Sequence, residues 1–377
     1  IELSGEPIAE GSVAVVLPCT WAPPRAKRRR NGVLKVLKPG VSELLAEDLA
    51  ILDEVTVLLD ERKDRYKLPG LDYGDTLGSV RDLLTEEVKL DQEQRHIREA
   101  RTVFDRIEGI CVPKLLPFCT PRVTAMEAIA GVTMADYTER VGEAREQSKS
   151  YATRIVESML AHSVFSREAL TFFHADPHAG NFMAMDDGQL ALLDWSLIGR
   201  LTKPEREGLV QIVLGALRLD TKHIEKALAR LAVVPAAKGV LRASAREVLR
   251  EVRKGQFPGL SWVTHVLETA AGRGVRFSAD LILFRKSIFT LRGLVYDVDP
   301  NVSIDRIFLA GALRALIREW PRRLFSLPRS RNFATHLSNT DLLRVYLGVP
   351  LTIAKFWSQT LGDLAGEYLP ELSVSRG

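Results

Sequence analysis

The sequence predicts an α+β chain of two lobes: a small strand-and-helix lobe over residues 1–130 and a larger, mainly helical lobe over 131–377. Three observations predict it. β-rich runs punctuated by turn signals are concentrated in the first forty residues, with only short stretches later. After Gly131 most of the chain repeats its apolar residues at helical spacing. With 377 residues, 46% hydrophobic and 27% charged, the chain can build a sizeable core and has the composition of a folded globular protein.

Ser12–Leu17 (SVAVVL) and Val33–Leu37 (VLKVL) read as strands, the second closed by Pro39-Gly40. The basic run Arg25–Arg30 (RAKRRR) between them reads as a solvated hairpin tip. Helical period follows over Val41–Leu58, and a second long helix is expected over Val80–Phe104. Val112–Ile129 has strand character broken by prolines, and Met126–Gly131 reads as a linker between the lobes. Helices are then expected at about 140–168, 203–218, 221–231, 240–254, 260–272, 278–295 and 304–320. The exception is a hairpin: Phe182–Met185 and Leu190–Leu193 are short apolar runs flanking Asp186-Asp187-Gly188.

Net charge of +4 is too weak to indicate nucleic acid, so none is expected as a partner. The three cysteines, Cys19, Cys111 and Cys119, form no CxxC pair and are odd in number. That fits buried thiols in a reducing compartment and neither a disulfide framework nor a zinc site. The most apolar stretch, Leu342–Leu361, is interrupted by Arg344 and Lys355, and no signal peptide is visible. The expected location is cytoplasmic, with peripheral contact at the inner face of a membrane. Arg318–Arg331 (REWPRRLFSLPRSR) reads either as a snorkelling surface helix or as a patch for anionic lipid. The chain starts at Ile1 in a strand-like pattern, and a preceding segment is expected.

The chemistry concentrates in His174–Ser196, HADPHAGNFMAMDDGQLALLDWS. The hairpin folds Asp194 back beside Asn181. An amide oxygen and a carboxylate so placed suit Mg²⁺, a hard cation that keeps water and phosphate ligands. Asp176 lies one short loop away, placed to orient or deprotonate a hydroxyl or water. This order, H-x-D-x-x-x-x-N, a hairpin and a metal-binding Asp, is that of phosphoryl transfer. His174 reads as structural, bonding backbone near Asp194; His178 is a weaker candidate still, and Asp186 and Asp187 read as turn residues. Phosphoryl transfer from ATP also needs a cation on the phosphates. Lys35 sits mid-strand among Val33, Leu34, Val36 and Leu37, where burial demands a partner. Glu93 in KLDQEQRHI is the best candidate partner, and Lys38 is the rival lysine. Pro7–Val15 (PIAEGSVAV), with Ala9, Gly11 and Ser12, reads as a phosphate-covering loop, and Met126-Glu127 as the linker facing adenine.

With these residues in place, the chain resembles the UbiB/ADCK family of atypical, protein-kinase-like ATPases from about Pro7 to Pro300. HADPHAGN is similar to the family's H-x-D-P-H-P-G-N and VLKVLKPGV to its V-A-V-K-V-x-x-P-G-V; the Glu87–His96 helix and LRGLVYDVDP (Leu291–Pro300) extend the likeness. The resemblance implies a protein-kinase-like fold that binds Mg·ATP. Lys35 is then the phosphate-binding lysine and Glu93 its partner; Asp176 is the catalytic-loop aspartate, and Asn181 and Asp194 are the metal ligands. It also implies a link to isoprenoid quinone (ubiquinone) biosynthesis, with a quinone precursor or lipid as partner. The sequence departs from the family in several places. The A-A-A-S-x-G-Q-V loop is only partly kept, E-x-D becomes Glu87-Val88-Lys89, DFG becomes Asp194-Trp195-Ser196, and no K-x-G-Q occurs. Two other readings stay open: a small-molecule phosphotransferase of the aminoglycoside or choline kinase type, which shares the D-W dipeptide, and a nucleotide-binding pseudokinase module.

Overall fold

The computed structural model describes residues 1–3, 5–22, 28–62, 77–78, 81, 84–140, 145–254 and 258–347. The chain divides into two compact units, residues 1–147 with 176–198 and residues 148–175 with 199–377.

The first unit opens with strands β1 (Glu2–Leu3), β2 (Ala9–Glu10), β3 (Ala14–Trp21) and β4 (Arg30–Leu37). β3 and β4 form a long antiparallel pair, with Val16 opposite Lys35. The expected hairpin tip lies partly outside the described residues. Helix α1 (Val41–Arg62) and helix α2 (Leu90–Phe104) follow, then β5 (Ile110–Cys111), β6 (Val123–Glu127), β7 (Gly131–Thr133) and helix α3 (Met134–Arg140). β6 completes the first sheet beside β4, Lys35 facing Thr124 across the ladder. Period-2 alternation sends Leu34 and Val36 to one face, where they pack with Cys19, Leu116 and Ala125, and Lys35 to the other.

α2 lies on that other face because its sequence turns Leu90, Glu93, Gln94, Ile97, Ala100 and Phe104 inward at helical spacing. The Gln94 amide donates to the Thr120 and Val123 carbonyls at 2.8 and 3.2 Å, tying the helix to the edge of β6. Apolar period alone predicts one helix from Val80 to Phe104. Instead the helical turn at 84–87 ends at Val88 and Lys89, and Lys89 takes a non-helical φ of −95° and ψ of 75°. The break frees α2 to follow the sheet independently of what precedes it.

After an excursion into the second unit through β8 (Leu170–His174), the chain returns with β9 (Phe182–Met185) and β10 (Leu190–Leu192). These form the expected hairpin, Ala184 opposite Leu190. Gly188 turns it at φ +81° and bonds back to the Met185 carbonyl at 2.9 Å, and the Asp187 carboxylate caps the Gln189 amide. A second sheet runs β5-β10-β9-β7.

The second unit contains helix α4 (Arg145–Val156), from Ser148 onward, which passes through a π-turn (Glu157–Ala161) into α5 (His162–Val164). β8 pairs there with β11 (Ile198–Thr202). Among the described residues six helices follow: α6 (Lys203–Leu217), α7 (Thr221–Leu231), α8 (Lys238–Arg253), α9 (Leu260–Ala271), α10 (Ala279–Val298) and α11 (Ile304–Arg323), each within a few residues of its sequence expectation. Thr202 and Glu205 form a reciprocal capping box at the start of α6. Buried Arg206 donates to the Ser166, Glu168 and Thr202 carbonyls, pinning the loop before β8; burial lowers its pKa to about 10.

Candidate nucleotide and metal site

The residues that the sequence marks for chemistry lie almost entirely in the first unit. Lys35 is 13% exposed, and its Nζ donates to Glu93 Oε1 at 2.7 Å and lies 3.1 Å from Asp194 Oδ1. One ammonium therefore joins strand β4, helix α2 and the segment after β10. Glu93 is 1% exposed, and its second oxygen accepts from Thr124 Oγ1 at 3.2 Å, so both carboxylate oxygens are engaged. Burial opposes the charge on Lys35, but the two carboxylates overcome it and hold the ammonium above its ordinary pKa. Burial opposes the Asp194 carboxylate as well; Lys35 and hydrogen bonds from Ser196 outweigh it and keep the group well below the usual carboxylate range. Burial leaves Glu93 raised.

Asp194 adopts φ +46°, the left-handed region that few residues other than glycine visit. The Ser196 amide donates to its Oδ1 at 3.1 Å and supports that turn. Trp195 next to it is fully buried; its ring lies 5.4 Å from Phe104 of α2, and its Nε1 donates to the Leu192 carbonyl. His96 Nδ1 lies 2.9 Å from the Trp195 carbonyl oxygen. Glu93 and His96, three apart on one helix, thus hold Lys35 and the backbone beside Asp194 together. The sequence reading did not single out His96, Thr124 or Trp195. The signal for His96 was its i+3 spacing from Glu93, but its partner is a backbone carbonyl ninety-nine residues away.

Asp176 begins the loop that carries Asn181. Its carbonyl accepts the His178 amide and Asn181 Nδ2, each at 2.9 Å. The Leu193 amide donates to the Asn181 carbonyl at 2.8 Å, fastening Asn181 next to the residue before Asp194. With Nδ2 spent on Asp176, the asparagine presents Oδ1. Asn181 Oδ1 and the ionised Asp194 carboxylate are hard oxygen donors of the kind that Mg²⁺ takes, and they leave positions for water and phosphate oxygens. Among the described residues no cluster of three or more His, Cys, Asp or Glu side chains is placed to hold a metal ion.

The other sequence candidates are placed as follows. Ala9 lies in β2 opposite Val16, and Gly11 and Ser12 form the β2–β3 hairpin tip, where the Gly11 amide donates to the Ala14 carbonyl at 2.9 Å. Lys38 pairs with Glu10 at 2.6 Å, away from Glu93. Met126 and Glu127 are the last residues of β6, opposite Val33 and Gly32. His178 Nδ1 accepts the Gly180 amide and caps the short turn Ala179–Asn181. His174 is buried at the end of β8 in the second unit, its carbonyl accepting Ser287 Oγ.

A lysine on a strand paired with a helix glutamate, followed by an H-x-D loop, an asparagine and a hairpin-borne aspartate, defines a kinase-like protein. The ABC1 atypical kinase-like domain matches residues 2–228, and the chain belongs to this family, the UbiB/ADCK atypical kinases. It is similar to the probable protein kinase UbiB of Pseudomonas putida (strain W619), 25% identical over 333 residues, covering 85% of this chain and 58% of that protein. It is also similar to the chloroplastic ACTIVITY OF BC1 COMPLEX KINASE 8 of Arabidopsis thaliana, 29% identical over 240 residues, 61% of this chain and 29% of that protein. The chain thus spans little more than half the length of the UbiB relatives it matches. The solved Rv3197–erythromycin complex from Mycobacterium tuberculosis shares the fold at a TM-score of 0.55 and 19% identity, over 79% of this chain and 74% of that one. The fold is accordingly the two-lobed α+β fold of protein kinases. Among the described residues, no helix is long and apolar enough to cross a membrane.

Proposed function

We propose that the first unit binds Mg·ATP and catalyses phosphoryl transfer or ATP hydrolysis. The observation that carries this reading is the single buried ammonium of Lys35, held between Glu93 and Asp194. A buried lysine restrained by two carboxylates from separate elements has a fixed position, as a phosphate-binding cation requires. In this reading Lys35 holds phosphate oxygens, and Glu93 keeps it aimed. Asn181 and Asp194 hold Mg²⁺, which supplies neutralisation of charge on the phosphates when bound. Asp176 accepts or orients the proton of the attacking hydroxyl or water. The Ala9–Ser12 hairpin tip covers the phosphates, and Met126-Glu127 lies toward the adenine. As a kinase-like phosphotransferase related to UbiB proteins, the chain is further proposed to support isoprenoid quinone (ubiquinone) biosynthesis, with a phenolic quinone precursor or a lipid as partner.

The test is nucleotide binding followed by turnover. Millimolar ATP with Mg²⁺ is expected to raise the melting temperature; ligand at 100 to 1,000 times its dissociation constant adds roughly 2.7–4.1 kcal/mol. Asp194→Asn is expected to abolish both the Mg²⁺ dependence and ATP turnover. No thermal shift in the parent protein refutes the reading. A shift without turnover, with or without a phenolic analogue, leaves nucleotide binding standing and refutes catalysis.

A further inference from the structure

In the second unit, helices α7 and α8 each turn one face toward a shared cavity of about 500 Å³. Lys222, Glu225 and Lys226 stand at i, i+3 and i+4 of α7, and Lys238, Leu241 and Arg242 repeat that spacing on α8, so each set lies on one side of its helix. The short connection between the two helices closes the cavity. It is held in place: Ala232 bridges to Phe277, and the Val233 amide donates to the Arg276 carbonyl at 2.9 Å. Leu241 gives the cavity an apolar base and is 2% exposed. A concave space of this size lies within the roughly 300–1,000 Å³ of small-molecule sites.

The charges around the cavity do not balance. Glu225 is the one carboxylate among the described lining residues, and it is already taken: Arg242 Nε donates to its Oε2 at 2.9 Å. Asp220, which caps α7, spends its carboxylate on the His223 amide and on Arg218. Lys222, Lys226 and Lys238 make no ion pair among the described residues. Each stands where a cation is disfavoured. Lys222 and Lys238 lie in the first turns of α7 and α8, which hold no acidic residue, and there they oppose the helix dipoles. Lys226 repels Lys222 from one turn further along. A face shaped only for solubility would intersperse carboxylates among these lysines. One multiply charged anion in the cavity relieves all three at once. A phosphoryl group has that charge, and lysine meets it as a point charge without demanding a fixed fork geometry. We propose that this cavity binds a small organic phosphate, its phosphoryl group among Lys222, Lys226 and Lys238 and its apolar body against Leu241 and Val233.

The inference is independent of the nucleotide reading, and its test uses the full chain without nucleotide or Mg²⁺. Phenyl phosphate, inorganic phosphate and phenol are titrated by calorimetry. Phenyl phosphate is expected to bind more tightly than inorganic phosphate, phenol not to bind, and added salt to weaken the affinity. Lys222→Gln, Lys226→Gln and Lys238→Gln are each expected to weaken phenyl phosphate about fivefold, and the triple variant about 100-fold. Ala229→Glu puts a carboxylate at an exposed position on the cavity wall and is expected to abolish binding without lowering the melting temperature. Asp194→Asn, in the first unit, is expected to leave binding unchanged. Binding that is lost in Asp194→Asn and kept in the triple variant would assign the phosphate to the nucleotide site and overturn the proposal. So would no binding of phenyl phosphate, equal binding of phenol, or a folded triple variant that binds as the parent does. Phosphatidic acid vesicles that sediment the parent but not the triple variant, with phenyl phosphate left unbound, would overturn it too, since the phosphate would then be a lipid headgroup.

Discussion

Replacing Lys35 by methionine removes one charge and orphans two. At an effective dielectric of about 20, the 2.7 Å contact with Glu93 and the 3.1 Å contact with Asp194 correspond to gross attractions of about 6 and about 5 kcal/mol. Desolvation of the three groups offsets much of this, and the Asp194 contact counts for less because that carboxylate is 37% exposed and screened by water. Glu93, 1% exposed, has no such relief. Breaking a buried pair by removing one partner costs about 3–5 kcal/mol, and Lys35→Met is expected in that range in urea titrations at neutral pH, with an unchanged m-value. Lys35→Met/Glu93→Gln leaves no buried charge at position 93 and is expected to recover more than half of the loss.

The pH dependence follows from the directions of the shifts. Lys35 is raised on folding, so its contribution is full below the unfolded lysine value of about 10.4 and is lost as pH rises through the folded value. Asp194 is depressed, so its contribution is present above about 3.9 and is lost as pH falls through its folded value. In Lys35→Met the Glu93 carboxyl rises further and takes up a proton as pH falls, so the deficit against the parent shrinks toward acid. A variant within about 0.5 kcal/mol of the parent at neutral pH, or a double variant no more stable than the single, refutes this account of the site.

Three further outcomes are expected. His96→Leu should raise the Mg²⁺ concentration needed for ATP to shift the melting temperature, and His96→Gln, which keeps a donor for the Trp195 carbonyl, should restore part of it; equal behaviour of the two variants would mean that His96 acts by packing alone. Burial lowers the pKa of His336 to about 4 from 6.5, so the folded protein excludes a proton that the unfolded chain binds between those values. Acidification across that window should therefore cost about 3 kcal/mol, and His336→Asn, which tolerates the φ of +55°, should flatten the stability profile. Gly131→Ala would combine φ +151° with a Cβ 2.2 Å from the Ala184 carbonyl oxygen, a backbone contact that cannot yield; a loss of about 2 kcal/mol or more is expected by denaturant melting, and a neutral effect would show that the β7–β9 ladder shifts freely.

The sequence by itself carried what is local and periodic. Asp-Asp-Gly between two apolar runs specifies a hairpin because only a tight turn suits those residues, and the helices from Lys203 onward follow from apolar spacing. A lysine amid four apolar strand residues demands an anionic partner on elementary solvation grounds, and the choice of Glu93 needed only an amphipathic helix with an acid on its buried face. What the sequence could not carry was every relation set by three-dimensional proximity. That Lys35 also reaches Asp194, that His96 meets a backbone carbonyl, and that Asp194 turns at positive φ depend on where three separate elements cross. The end of the helical turn at Val88-Lys89 is invisible to periodicity, which does not register a local backbone break. In α11 the apolar spacing specifies a helix, yet which of its apolar side chains face protein and which face solvent depends on the face that the neighbouring elements cover. There Gly311 and the buried Glu319–Arg323 pair take the interior, and tertiary packing leaves the leucines outside.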